Sequence, residues 1–294
     1  MKTGRINLTE KNKGIICILL AAFGFSLMSI FIKLSGDLPT MQKAVFRNAV
    51  AIVIAGVMLI RNRGSAELRI TRDNIGDLLR RSIFGSVGIV CNFYAISHMN
   101  MADANLLNKL SPFFAILMSI FVLKERASFK EWLAVFIAFA GALCVIKPGS
   151  GLDSVPALVG LTGGICAGIA YTYLRRLGKN GTKGPVIVFF FAVISTLVCL
   201  PGCIIQYQHM TVWQTFCLIM VGVCASASQF AITAAYTHAP AKEISIFDYT
   251  QIIFAAMWGF LIFGEVPDVL SLVGYVVIFG ASLVKFLSAQ KRAD

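Results

Sequence analysis

The stretch that decides the fold is DANLLNKLSPFFAILMSIFVLKE, from Asp103 to Glu125. It is long enough to cross a bilayer, because a helix rises about 1.5 Å per residue. Its first two turns nevertheless carry Asn105, Asn108 and Lys109, which share one helix face. Pro112 lies on the same face. Polar groups inside a span are costly unless they face protein or water, so we expect this helix to line a cavity.

The same pattern returns 140 residues later, as EISIFDYTQIIFAAMWGFLIFGE from Glu243 to Glu265. Without a gap, four positions of the first stretch align with four of the second: Asn105 with Ser245, Asn108 with Asp248, Lys109 with Tyr249 and Glu125 with Glu265. Polar and apolar positions recur together over about fifty residues, as repeated sequence units require. The chain is therefore predicted to contain a duplicated unit.

The composition is that of a membrane protein. Hydrophobic residues make up 57% of the 294 residues, charged residues 14%, and the mean hydropathy is +0.80. These values lie outside the range of soluble domains. Most of the 26 Lys and Arg residues lie between apolar runs and do not form one basic face. We therefore expect the lipid bilayer as a partner and no nucleic acid.

The sequence offers no motif for a metal, a cofactor or an enzyme. Its eight cysteines lie inside apolar runs, without a CxxC pair or a histidine at zinc spacing, and are interpreted as reduced packing residues. Hydrolase, phosphate-loop and metalloprotease motifs are absent. We expect no metal, no cofactor and no catalytic residue. The alternative from another class is a membrane-embedded enzyme or a receptor without solute flux.

Ten apolar segments, bounded by charge, glycine or proline, predict an all-α membrane protein with ten transmembrane helices. They are Gly14 to Leu34, Thr40 to Ile60, Leu78 to His98, Asp103 to Leu123, Phe129 to Lys147, Pro156 to Leu177, Gly184 to Ile205, Trp213 to Thr237, Glu243 to Phe263 and Asp268 to Leu287. Ten spans of about 20 residues leave no room for a separate soluble domain.

The distribution of basic residues predicts the topology. With the start of the chain in the cytoplasm, 21 of the 26 basic residues fall on the cytoplasmic side. By the positive-inside rule, both termini are then cytoplasmic, and the protein is expected in the plasma membrane, the inner membrane of a bacterium. Five spans are an odd number, so the second repeat enters the membrane upside down, as in many secondary transporters.

These expectations divide the chain into five parts. Residues 1–13 form a cytoplasmic segment, residues 14–147 the first five-helix repeat and residues 148–155 a linker rich in glycine, serine and proline. Residues 156–288 form the second repeat and residues 289–294 a cytoplasmic tail. Within the second repeat, Gly160, Gly164 and Gly168 recur at the spacing that lets helices pack closely in lipid, with a gating role as the alternative.

Lys109 and Asp248 are the strongest candidates for binding-site residues. Their spans enter from opposite sides, which predicts Lys109 about 6 Å outside the midplane and Asp248 about 6 Å inside it. A solute with opposite charges at its ends would fit between them. The alternatives are a structural ion pair, or a Lys109 side chain that extends outward along its stem. Arg47 lies near the start of its span and is expected to anchor it at the interface.

Neighbouring residues add further candidates. Tyr249, Gln251, Ser245, Asn105 and Asn108 offer hydrogen bonds, whereas Trp258, Phe113 and Tyr171 offer apolar or stacking walls. Gln229 is another polar residue inside a span. Glu125 and Glu265 end equivalent helices and are expected to tie down the short connections, with proton coupling as the alternative.

Four motifs carry a resemblance to a known family: FGFSLMSIFIKLS with Lys33, FRNAVA at Phe46 to Ala51, NFYAISHMNMADANLL, and FGEVPD at the close of the ninth span. From Gly14 to about Leu287 the chain resembles the EamA-type members of the drug/metabolite transporter superfamily, which have ten helices in two inverted five-helix repeats. The resemblance implies a central cavity lined by helices one, three, four, six, eight and nine. It implicates Asn108, Lys109, Tyr171, Gln229, Asp248, Tyr249 and Trp258 in substrate binding.

The run FDYTQIIFAAMWGFLIFGEVPD, from Phe247 to Asp268, resembles a branch that includes carriers of riboflavin and S-adenosylmethionine. Other family members export amino acids. The resemblance implies a secondary transporter that moves a small polar or zwitterionic metabolite by alternating access. The alternative is an exporter of apolar cationic drugs, which predicts an aromatic cavity with a lone carboxylate. The direction of transport, the coupling ion and the oligomeric state stay open.

Overall fold

A computed structural model describes residues 10–61, 72–122, 129–146, 154–238 and 245–290. Its elements are α1 (Glu10–Leu34), α2 (Thr40–Arg61), α3 (Arg72–His98), α4 (Met101–Asn108), α5 (Ser111–Val122), α6 (Phe129–Ile146), α7 (Val155–Lys179), α8 (Gly184–Ile205), α9 (Val212–His238), a 3-10 helix (Ser245–Tyr249), α10 (Thr250–Phe263) and α11 (Val269–Gln290). These ranges contain no strand, which confirms the all-α prediction. Glu125 and most of the predicted N-terminal segment, linker and C-terminal tail lie outside them.

Membrane-spanning character is clear for part of the bundle. Within the described ranges, six helical stretches are long and apolar enough to cross a bilayer: Asn12–Leu34, Thr40–Arg61, Met101–Val122 (α4 and α5 together), Val155–Lys179, Gly184–Ile205 and Val212–Ile232. Shorter apolar helices cover Val135–Ile146, Phe247–Phe263 and Val269–Ala281. The prediction of a multi-span membrane protein is confirmed, whereas the count of ten crossings is confirmed in part.

The fourth predicted span is broken in the middle. α4 ends at Asn108, and α5 begins at Ser111 after a turn. Pro112 explains the break, because a proline lacks the N–H group and its ring clashes with the carbonyl four residues earlier. The aligned stretch changes from a 3-10 helix to α10 between Tyr249 and Thr250. The predicted span from Asp103 to Leu123 is therefore present, but it contains an interruption that the sequence analysis does not predict. The two stretches are interrupted at aligned positions.

Helices pack mainly across the two halves of the sequence. α1 packs on α9 and α7 on α3, while α2 packs on α8, α6 on α11 and α4 on α10. The helices of the two halves correspond in order: α1 to α7, α2 to α8, α3 to α9, α4 with α5 to the 3-10 helix with α10, and α6 to α11. Exchanging these counterparts leaves this set of contacts unchanged. The bounds of α3 and α9, each 27 residues long, differ by the same 140-residue offset as the sequence repeat. The interior of the bundle is therefore built jointly by both halves.

The glycines of α7 bring this helix against the break between α4 and α5. A Cβ atom on Gly164 would lie 2.5 Å from the carbonyl oxygen of Leu107, and one on Gly168 would lie 2.7 Å from that of Ser111. Such distances are closer than real side chains allow. The interpretation of this glycine stripe as a packing surface is therefore supported.

Ion pairs and hydrogen bonds connect helices at the two ends of the bundle. At one end, Glu265 forms an ion pair with Lys33 and accepts a hydrogen bond of 2.8 Å from the Met101 N–H group. Lys33 also donates to the Met99 carbonyl at 3.1 Å. At the other end of α3, Asp77 pairs with Arg176 at 3.0 Å. Glu265 thus ties a short connection, as the sequence predicts.

Candidate functional site

A cavity of about 100 Å³ lies among helices of both halves. Its polar lining consists of Arg47, Arg81, Asn92, Asn108, Lys109, Tyr171, Gln229 and Gln251. Apolar walls include Phe25, Met28, Ile89, Phe93, Phe191 and Ile232. The break between α4 and α5 contributes Lys109 to the lining, which agrees with the tendency of membrane proteins to place irregular backbone where it faces a cavity. α2 and α8 contribute as well, beyond the six helices that the resemblance implies.

Four of the eight predicted site residues line the cavity, namely Asn108, Lys109, Tyr171 and Gln229. Asn105, Asp248, Tyr249 and Trp258 are absent from its lining. Trp258 instead lies beside Phe23, with ring centroids 6.3 Å apart and the ring planes tilted by 59°. The role of all eight in substrate binding stays a prediction.

Lys109 and Asp248 contact each other directly. The ammonium nitrogen lies 2.6 Å from Asp248 Oδ2, and the two side chains are 8% and 12% exposed. Tyr249 Oη donates a hydrogen bond of 3.0 Å to the Lys109 carbonyl oxygen. The structure therefore corresponds to the alternative of an ion pair. The helix break and the long lysine stem bring together two groups that the sequence predicts on opposite sides of the midplane.

Asn105 is a positioning residue beside the cavity. Its Oδ1 atom accepts a hydrogen bond of 2.5 Å from Gln251 Nε2, and its Nδ2 atom donates to the Met101 carbonyl at 2.7 Å. Asn105 Nδ2 also contacts Ser29 Oγ at 3.2 Å. This buried network joins α1, α4 and α10 and holds the side chain of Gln251 at the cavity wall.

Two arginines are functional candidates that the sequence analysis does not place in the site. Arg47 and Arg81 are 6% and 5% exposed, and both line the cavity. Anchoring of Arg47 at the interface is therefore wrong, and Arg81 belongs to the interior and not to the cytoplasmic charge cluster. A signal for Arg81 exists, because Gly85, Gly88 and Asn92 follow it at helical spacing on one face of α3.

The cavity is electrostatically positive. Its lining contains three basic residues and, among the residues that the structure describes, no acidic one. The Asp248 carboxylate, which is not part of this lining, is engaged by Lys109. The described ranges also contain no group of three or more His, Cys, Asp or Glu side chains that would hold a metal ion. All eight cysteines are free, which agrees with their interpretation as packing residues.

A bundle of apolar helices around a buried polar cavity defines a multi-pass membrane protein with a polar interior. A model of the EamA-like transporter family matches the sequence twice, over residues 12–147 and 155–287. The chain therefore belongs to the EamA-like transporter family, which confirms the resemblance to the drug/metabolite transporters.

Named relatives support this assignment over most of the chain. The pseudopaline exporter CntI of Pseudomonas aeruginosa is 34% identical over 285 residues, covering 95% of this chain and 97% of that protein. The riboflavin transporter of Brucella anthropi is 26% identical over 253 residues, covering 84% and 87%. A solved crystal structure that is 15% identical matches the fold with a TM-score of 0.66, covering 96% of this chain and 99% of its own. The family and the Brucella protein are named as transporters and the Pseudomonas protein as an exporter, whereas the solved structure shows the fold alone.

Proposed function

We propose that the protein is a secondary transporter that moves a small polar or zwitterionic organic metabolite across the plasma membrane by alternating access. The observation that carries this proposal is the buried polar cavity, to which both halves of the chain contribute. A site shared between two halves can be exposed to one side and then to the other when the halves move against each other.

The proposed machinery is a pair of inverted five-helix repeats, residues 14–147 and 156–288, joined by residues 148–155. Three observations support it: the exchangeable set of helix contacts, the matching bounds of α3 and α9, and the interruptions at Lys109 and Tyr249. Discontinuous helices at the site are a recurring feature of transporters built from inverted repeats. The excess of basic residues on one side supports cytoplasmic termini.

The polar lining favours a polar substrate. Relatives are named for pseudopaline, riboflavin and S-adenosylmethionine, and the last of these transporters, from Rickettsia bellii, is 22% identical over 201 residues. The alternative of a cationic drug exporter predicts an aromatic cavity with a lone carboxylate. The described lining instead carries three basic residues and no acidic one, so this alternative lacks support.

Flux through purified protein in liposomes tests the proposal. Radiolabelled amino acids, riboflavin and S-adenosylmethionine serve as solutes, each measured with and without a pH gradient. We expect saturable uptake and counterflow for at least one of them, and none in protein-free liposomes. Binding or chemical turnover without flux of any solute would overturn the proposal in favour of a receptor or a membrane-embedded enzyme.

Alternating access has its own test at Asn108, which lines the cavity and is partly exposed. The Asn108→Cys variant is treated with a membrane-impermeant thiol reagent in right-side-out and in inverted vesicles. We expect labelling from both sides, and protection by the transported solute. The unmodified protein is the control, because its cysteines lie in apolar helices. Labelling from one side in every condition contradicts alternating access.

A further inference from the structure

Two buried cations of the cavity have no anionic partner within the described part of the chain. Arg47 and Arg81 are 6% and 5% exposed, and neither forms an ion pair with a residue that the structure describes. The Nε atoms of both side chains are buried without a hydrogen-bond partner in the described ranges. Arg47 donates one hydrogen bond, of 2.7 Å, from Nη1 to Asn48 Oδ1. Most of the donor capacity of the two guanidinium groups is therefore unused.

Other buried cations of the bundle are neutralised or well solvated by protein oxygens. Lys109 pairs with Asp248 at 2.6 Å. Lys43, 1% exposed, donates to the Gly36 and Ile32 carbonyl oxygens at 2.7 and 3.3 Å and to Ser97 Oγ at 2.9 Å. Because burying an uncompensated charge is expensive, Arg47 and Arg81 are the exceptions that need an explanation.

The two guanidinium groups face the same part of the cavity. Their central carbons lie 5.7 Å (Arg47) and 4.3 Å (Arg81) from the centroid of the same Phe191 ring. Gly85 leaves room for this arrangement, since a Cβ atom there would lie 2.3 Å from Arg81 Nη1 and 2.7 Å from Phe191 Cε2. An aromatic face stabilises a guanidinium group without neutralising it, so the positive charge stays available to a ligand.

We propose that Arg47 and Arg81 bind the acid group of the transported solute. The inference rests on the proposed function and narrows it: the substrate is an organic acid, or a zwitterion whose acidic end lies between the two guanidinium groups. Carboxylate and phosphate oxygens match the planar fork of arginine and form charge-assisted hydrogen bonds with it. The unpartnered Oδ1 atom of Asn92 and the side chain of Asn108 line the same cavity and accept hydrogen bonds from an N–H or O–H group elsewhere on the solute.

Binding to the full-length protein in nanodiscs tests the acid requirement. The probes are L-glutamate, succinate and inorganic phosphate, with succinamide and putrescine as the neutral and cationic comparisons. We expect at least one acid to raise the thermal midpoint and to bind, by calorimetry, at least tenfold more tightly than succinamide and putrescine. Preference for phosphate over both carboxylates assigns a phosphate ester, and the reverse preference assigns a carboxylic acid. Absence of binding by all three acids, or equal binding of succinamide or putrescine, overturns the inference.

Charge-removing variants locate the binding acid. We expect the affinity for this acid to fall at least tenfold in Arg81→Gln and in Arg47→Gln. The loss should be smaller in Arg81→Lys, since lysine keeps the charge but lacks the planar fork of arginine. Arg80→Gln is the matched control, because Arg80 is adjacent on α3, its side chain is 58% exposed and it contacts Asp77 outside the cavity. If Arg81→Gln fails to fold, Gly85→Ala serves in its place, because it displaces the Arg81 guanidinium group without removing it. We expect this variant to lower the affinity for the acid as well. Unchanged binding in Arg81→Gln or Gly85→Ala, or an equal loss in Arg80→Gln, contradicts the inference.

Flux of the binding acid separates this inference from the proposed function. If the acid binds through the two arginines but does not cross liposomes that contain the protein, the anion site stands and the transporter proposal fails. If a neutral or cationic solute is transported and Arg47→Gln and Arg81→Gln leave its flux unchanged, the transporter proposal stands and the anion site fails.

Discussion

The hydroxyl group of Tyr249 donates a hydrogen bond of 3.0 Å to the carbonyl oxygen of Lys109, which lies 140 residues earlier in the chain. The two residues align in the sequence repeat, and each lies where its helix is interrupted. In a protein built from two related halves, a contact between counterparts marks the axis that relates them. The free carbonyl of the broken helix is thus satisfied by the other half.

Removing this hydrogen bond should loosen the junction between the halves. Tyr249→Phe leaves the ring in place but deprives the buried Lys109 carbonyl of its partner, so we expect a loss of about 1 kcal/mol of stability. The measurement is the midpoint of thermal unfolding of the purified protein. Tyr207→Phe, at a side chain that is 52% exposed, is the control and should leave the midpoint unchanged. Equal midpoints for Tyr249→Phe and the parent protein would contradict the assignment.

Neutralising Asp248 should impair transport while the protein stays folded in the membrane. Asp248→Asn keeps an oxygen atom that accepts a hydrogen bond from Lys109, but it leaves the ammonium charge uncompensated beside the cavity. We expect flux to fall at least tenfold, because an uncompensated ammonium group changes the charge of the cavity wall. The measurement is solute uptake normalised to the amount of protein in the liposomes. Normal flux through Asp248→Asn would remove this carboxylate from the mechanism.

A double-mutant cycle separates the structural from the transport role of the same ion pair. Lys109→Met alone leaves the Asp248 carboxylate buried without a counter-charge, so we expect the free energy of unfolding to fall by about 3–5 kcal/mol. Combining it with Asp248→Asn removes both charges and should recover more than half of that stability, measured by thermal unfolding. A double variant as unstable as the sum of the single variants would mean that the two residues do not interact. Recovery of flux as well as stability would show that the pair is purely structural.

The ion pair between Lys33 and Glu265 should close one end of the bundle. Glu265→Gln keeps an acceptor for the Met101 N–H group but removes the charge that holds Lys33. We expect the Asn108→Cys variant to react severalfold faster with an impermeant thiol reagent when Glu265→Gln is added. Asp268→Asn is the control, because this nearby carboxylate accepts a hydrogen bond of 3.0 Å from the Ser271 N–H group. Equal labelling rates for the two additions would exclude a gating role for Glu265.

Packing of α7 against the helix break should tolerate no added methyl group. A Cβ atom on Gly164 would lie 2.5 Å from the Leu107 carbonyl oxygen, so Gly164→Ala is expected to destabilise the fold by about 1–3 kcal/mol. Gly178→Ala on the same helix meets nothing within 4 Å and should be neutral or stabilising. The comparison uses thermal midpoints. A smaller loss for Gly164→Ala than for Gly178→Ala would contradict the close approach.

Much of the architecture was predictable because polar residues inside apolar runs are visible in a sequence. Asn108 and Lys109 indicated a cavity-lining helix, and the aligned glutamates indicated duplication. The helix break was missed, although Pro112 provided a signal for it, because apolar periodicity records the length of a segment and not its continuity. The sequence analysis gave the contact between Lys109 and Asp248 only as one of several alternatives. The order of residues does not show how far apart two helices lie in the plane of the membrane.

The two cavity arginines show why a count of charges along the chain is insufficient. Arg80 and Arg81 are neighbours in sequence, but successive residues point about 100° apart around a helix. The Arg80 side chain is 58% exposed, whereas Arg81 is 5% exposed and lines the cavity. Counting both on the cytoplasmic side assigned Arg81 to the wrong environment, and the topology drawn from that count stays a prediction. Arg47 was misassigned in the same way, from its distance to the start of its helix.

The unneutralised charge beside Phe191 has a consequence for energy conservation. A polar cavity inside a membrane protein is a potential leak path, since protons or sodium ions that cross it dissipate the electrochemical gradients of the cell. Fixed positive groups along a conduction path raise the barrier to cations, as they do in water channels. Because Arg47 and Arg81 line the cavity, we expect the protein to conduct few cations in the absence of its substrate.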